Sequence, residues 1–88
     1  MKFMITFTAQ PTHFKAAVSR FVETGALPPQ GVTMVGRWHG AALGWLVAET
    51  DNVMKLYEWT ARWSDLLTFS VVPVLEDAEL GQVLRDIG

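Results

Sequence analysis

Arg37, His39 and Glu49, with Trp38 and Trp45 between them, are the side chains whose types and spacing suit chemistry. Arg37 and His39 stand two apart in Gly36-Arg37-Trp38-His39-Gly40, and Gly44-Trp45-Leu46-Val47-Ala48-Glu49 follows after three residues. A guanidinium there can clamp the carboxylate or phosphate of a small ligand. An imidazole can move a proton or supply one metal ligand. Two indoles can line a cavity for an aromatic molecule or simply fill a core. Glu49 reads as a rim carboxylate bonded to backbone donors, or as a perturbed functional one. Plainer uses exist: Arg37 can bridge a dimer or stack on an indole, and His39 can bond a loop carbonyl. Ser64-Asp65 reads as a helix-ending turn, not a catalytic pair. No serine-nucleophile motif or phosphate-binding glycine loop is present. His13 and His39 are far apart and cysteine is absent, so no metal, haem or other cofactor is expected.

The totals narrow the class. An 88-residue chain reads as one domain, residues 1–88, burying ~60–65% of its unfolded surface. Half the residues are hydrophobic and 18% are charged, more apolar than a lone small domain needs. A homodimer is the simplest expectation. A net charge of -2 without a basic patch argues against nucleic acid. No apolar run reaches the ~20 residues of a membrane span, and no signal-peptide layout opens the chain. A cytoplasmic protein is expected.

The elements that must position these residues follow from periodicity. Phe3, Ile5 and Phe7 alternate with Met4, Thr6 and Thr8, as in a strand. A helix with Phe14, Val18, Phe21 and Val22 on its apolar stripe is expected to open at Pro11 and stop at Gly25. Pro28 and Pro29 keep the following connector irregular. A hairpin comes next, its strands running from about Val32 to His39 and from Gly44 to Glu49. A four-residue loop sets Trp38 opposite Trp45 and His39 opposite Gly44. Asp51 caps a second helix reaching about Trp63. It carries Val53, Leu56, Trp59, Thr60 and Trp63 on one flank, with Glu58 and Arg62 as an i,i+4 pair. A last strand spans about Leu67 to Val74. A tail helix from Glu76-Asp77 carries Leu80, Val83, Leu84 and Ile87.

This order, β-α-β-β-α-β plus a tail helix, is the α+β ferredoxin-like plan, with strands one and three central. Strict alternation turns Trp38, Trp45 and Val47 toward the helices, with Phe3, Ile5, Phe7, Phe69 and Val71. It turns Arg37, His39, Leu46 and Ala48 to the open side, with Met4, Thr6, Val35 and Val72. Trp38→Ala is therefore expected to cost ~3–5 kcal/mol and His39→Ala far less. The open side is too apolar for water, so packing on a twin sheet as a dimeric α+β barrel is expected.

The chain resembles an uncharacterised family of small bacterial proteins, a domain of unknown function. The residues that carry this are Met1-Lys2-Phe3-Met4, the Gly-Arg-Trp-His-Gly hairpin at 36–40, Glu49-Thr50-Asp51, Trp63-Ser64-Asp65 and Pro73-Val74. The family's glycine-rich turn is Ala41-Ala42-Leu43 here. The resemblance implies the dimeric α+β barrel superfamily, which holds cofactor-free monooxygenases, lactone isomerases, haem-degrading enzymes and ligand-binding proteins. It brings no catalytic residues, and fold alone does not fix function.

Three readings remain open. One is a small-molecule-binding protein whose lining or rim is Arg37, Trp38, His39, Trp45 and Glu49. Another is a cofactor-free oxygenase or isomerase acting on an aromatic or lactone-like substrate, with His39 moving a proton and Arg37 holding an anionic oxygen. The third is a structural dimer without a ligand.

Overall fold

The computed structural model describes all residues 1–88. Strand β1 (Lys2–Ala9) is followed by helix α1 (Phe14–Thr24) and the hairpin β2 (Thr33–His39) and β3 (Leu43–Glu49). Helix α2 (Val53–Ala61), strand β4 (Leu67–Val74) and helix α3 (Asp77–Ile87) complete it. The four strands form one antiparallel sheet in the order β2-β3-β1-β4. That is the ferredoxin-like arrangement with a C-terminal helix, and β1 and β3 are central as expected.

Local chemistry sets the helix ends. Gly25 closes α1 in the left-handed region at φ 72°, its N–H donating to the Phe21 carbonyl at 2.7 Å. The start of α1 lies three residues later than Pro11 promised. Pro11 instead sits in a turn in which the His13 N–H donates to the Gln10 carbonyl at 2.9 Å, a role its fixed φ suits as well as a first helical turn. The cap of α2 is Asn52, not Asp51: the Asn52 side chain accepts the Met54 N–H at 3.0 Å. Thr50 explains the shift by one. Its hydroxyl accepts the Asn52 N–H at 3.0 Å and donates to the Gly31 carbonyl at 2.8 Å, fixing the chain before the helix begins. Glu58 and Arg62 pair at 3.3 Å.

The core lies between the sheet and the helices. Phe3, Ile5, Leu46 and Ala48 supply it from the sheet; Leu56, Trp59 and Trp63 cover it. The hairpin register is the expected one, with Trp38 opposite Trp45 and His39 opposite Gly44. Its facing is the reverse of strict alternation. Met34 pairs with Ala48, but Gly36 pairs with Val47 and Arg37 with Leu46. Val35 is thus an extra residue, a β-bulge, and a bulge exchanges the faces of every residue after it. Met34, before the bulge, faces the helices beside Ala48. Arg37, His39, Leu46 and Ala48 face them too, while Trp38, Trp45 and Val47 lie on the open side. Space agrees with this assignment. A Cβ on Gly44 would overlap the Phe7 ring, and one on Gly36 would come within 2.6 Å of the Trp38 indole. Each glycine is a floor for an aromatic ring, on opposite sides of the sheet.

Candidate functional site

The bulge divides the five candidate residues between two surfaces. Trp38, Trp45 and Glu49 stand on the open sheet face, where the two indoles are 58% and 40% exposed. Glu49 ends β3 there, opposite Lys2 and Thr33, at the rim of the sheet as its strand-end position suggested. Trp59 and Trp63 are buried in the core.

Arg37 and His39 lie together on the other surface, beneath α1. Arg37 is half-buried. Its Nη1 donates to the Ala26 carbonyl at 3.0 Å and its Nη2 to the Gly25 carbonyl at 3.1 Å. Its guanidinium carbon sits 4.8 Å from the centre of the Phe21 ring. The guanidinium therefore holds the carbonyl end of α1, where a cation is favoured. Three of its five N–H groups remain for another partner. Arg37 has no carboxylate within ion-pair distance, whereas Lys2, Arg20, Lys55 and Arg62 each have one. Burial pushes its pKa below the usual guanidinium value, although a guanidinium keeps its proton regardless.

His39 stands two residues on, its ring edge-on to Phe21 at 5.3 Å and to Phe7 at 6.1 Å. Around these side chains the packing is incomplete. One apolar hollow of about 50 Å³ is lined by Arg37, Ile5, Leu46 and Phe69. A second of about 150 Å³ is lined by His39, Phe14, Ala17 and Val18. Phe7, Phe21, Trp63 and Leu67 border both. Of α1, Ala17 alone is buried, so this helix covers the sheet loosely. Phe7 and Phe21 thus belong to the site, though periodicity marked them only as core, and Trp63 lines both hollows with them. Their signal lay in the fold: Phe7 shares Arg37's face, and Phe21 lies in the last turns of α1, one turn before the Gly25 and Ala26 carbonyls that Arg37 holds.

The arrangement suits an apolar body with one anionic group. A cation partly withdrawn from water without a countercharge favours an anion near it. No three histidine, aspartate or glutamate side chains converge as metal ligands. Asp65, beside the buried Trp63, is engaged elsewhere: its two oxygens accept from Arg20 at 2.8 and 2.7 Å.

Comparison with known proteins gives a family and little about activity. Residues 1–88 match the family described as "Domain of unknown function (DUF3303)". The crystal structure of MupZ from Pseudomonas fluorescens is similar at 17% identity, over 98% of this chain and 79% of that one, with a TM-score of 0.43. No curated protein matches. No helix is long and apolar enough to cross a membrane.

Proposed function

We propose that this chain, which belongs to the DUF3303 family of unknown function, is a homodimeric protein that binds a small, flat, apolar anion under α1. One observation carries the reading: Arg37 is half-buried, lacks an acidic partner and opens onto an apolar hollow. The two hollows, separated by Phe7 and Phe21, are each smaller than the ~300 Å³ of an ordinary ligand site. Phe21 borders both, and the reading requires its ring to turn aside as the ligand enters. A thermal-shift panel of aromatic and alicyclic carboxylates, each beside its neutral amide, tests this. A native-state ligand raises Tm by mass action. The carboxylates are expected to raise it and the amides not, and Arg37→Gln is expected to abolish the difference. Equal response to acid and amide, or a full response in Arg37→Gln, overturns the reading.

Homodimerisation is part of the proposal. Only 12 of 88 residues are buried, too few for a chain that is half hydrophobic. Met4, Trp38, Trp45 and Val72 remain exposed on one sheet face. Burying them against a twin sheet gives the dimeric α+β barrel. Light scattering should then give about twice the 9.8 kDa chain mass; a monomer refutes it.

A second reading makes the two hollows one catalytic site. Arg37 lines the first and His39 the second, on one face of the sheet, so a molecule spanning both would meet a guanidinium and an imidazole. Such a pair suits cofactor-free proton transfer in an isomerase or oxygenase. Turnover of a lactone or quinol panel that disappears in His39→Ala while the ligand-induced thermal shift survives would favour this reading over binding alone.

A further inference from the structure

We infer that α3 is an exchanged arm: its apolar stripe seats in the groove between α2 and β4 of a second copy of this chain. The inference rests on the homodimer proposed above and names a second contact for it. Leu80, Val83, Leu84 and Ile87 repeat at i, i+3, i+4 and i+7, the stripe of a helix that packs on something. Yet no residue of α3 is buried, and Ile87 is 78% exposed. The chain extends over 50 × 26 × 18 Å with a radius of gyration of 15.0 Å, against ~12 Å for a compact chain of this length. The helix is nevertheless well specified. Glu76 and Glu79 form a reciprocal capping box, Arg85 sits in the last turn, and Lys2 pairs with Glu76 at the base. These contacts start the helix cleanly, and it stands clear of its own core.

The same chain carries an apolar groove with no occupant. It holds about 530 Å³ between Val53 and Tyr57 of α2 and Phe69 and Val71 of β4. A helix laid in a groove with i, i+3, i+4, i+7 anchors is a standard recognition mode. Stripe and groove on one chain satisfy each other twice in a two-fold dimer, and element exchange is a low-cost route to one. Area points the same way. The exposed side chains of the open sheet face offer on the order of 400 Å² and those of the α3 stripe about as much, where a standard interface takes ~800 Å² from each partner. The sheet alone falls short; sheet and arm together reach it.

The absence of cysteine makes the test clean. Leu84→Cys and Tyr57→Cys are made singly, both at exposed positions, and the two variants are co-expressed and oxidised. A disulfide-linked dimer joining the two variants, absent when Glu23→Cys replaces Tyr57→Cys, is the expected result. The double variant Tyr57→Cys/Leu84→Cys alone should give linked dimers. A monomer with an internal disulfide overturns the exchange, because the arm then folds onto its own groove. A dimer by light scattering that gives no cross-link overturns the exchange while leaving the sheet-face dimer standing; a monomer by light scattering overturns both.

Discussion

Gly44→Ala should destabilise the protein, although alanine ordinarily improves a strand. Glycine in a strand interior costs about 0.5–1 kcal/mol relative to alanine, because more backbone freedom is lost on folding. On an open strand this substitution would therefore stabilise. Here the added Cβ overlaps the Phe7 ring, which lies across Gly44 on the helix-facing side. The ring is flanked by His39 at 6.1 Å and Phe69 at 6.5 Å, so moving off Gly44 disturbs its contacts with both. Forcing an extra carbon into a packed site costs ~1–3 kcal/mol. Set against the entropic gain, a net loss of about 1–2 kcal/mol is expected, a large share of a small domain's stability. Urea melts of wild type, Gly44→Ala, Phe7→Ala and the double variant measure it. Removing the ring removes the clash, so the double variant should be more stable than additivity by the whole clash term, ~1–3 kcal/mol. If Gly44→Ala stabilises the wild type, or costs as much without the Phe7 ring, the assignment of Phe7 and Gly44 to one face is wrong. The placement of Arg37 and His39 under α1 falls with it.

Trp38→Ala, expected from alternation to cost ~3–5 kcal/mol, should cost only about 2 kcal/mol in denaturant melts at high dilution, because more than half of the indole is exposed. At concentrations where the protein associates the loss should grow. Asp65→Asn should flatten the acid limb of a stability profile: the Arg20 hydrogen bonds hold the Asp65 carboxyl below its ordinary 3.8. The stability this contributes is therefore present above pH 4 and lost as pH falls through the lower folded value, so wild type and variant should converge below that point. Asn52→Ala should cost about 1 kcal/mol by leaving the Met54 N–H without its acceptor, whereas Asp51→Ala should cost far less; the two midpoints in urea decide which residue caps α2.

Most of the architecture was legible because it rests on patterns the chain repeats. The alternation in Lys2–Ala9, the stripe in Phe14–Thr24, Gly25 at its end and the period change near Asn52 fix element types and order. Two connections, right-handed crossovers and one hairpin then leave few topologies. Helix starts were less legible. A proline before an apolar stripe serves a turn or a first helical turn equally well, and Asp51 and Asn52 are equivalent caps until Thr50 engages the Asn52 N–H. The bridge from Arg20 to Asp65 joins residues 45 apart in the chain, and nothing local announces it.

The facing of the hairpin was the costly miss, and the chain held two signs of it. Strict alternation carried Met34 and Trp38 to one side, and correct pairing of Trp38 with Trp45 passed the error to the whole of β3. Glu49 was the first sign. It shares parity with Trp45 and Val47, so turning the indoles inward turns a carboxylate inward too, where an unpaired charge is expensive. Leu46 and Ala48, the alternative inward pair, keep that carboxylate out and bring Arg37 in instead, where the Gly25 and Ala26 carbonyls receive its guanidinium. Gly36 was the second: a glycine inside a strand often marks a bulge. Trusting charge over aromatic size would have set Arg37 and His39 beneath α1 from the start. Five candidate residues would then have divided at once into a cation and an imidazole on one surface and two indoles with a carboxylate on the other. Those surfaces call for different partners, an anionic ligand for the first and a second copy of the chain for the second, and β2 with β3 is the wall between them.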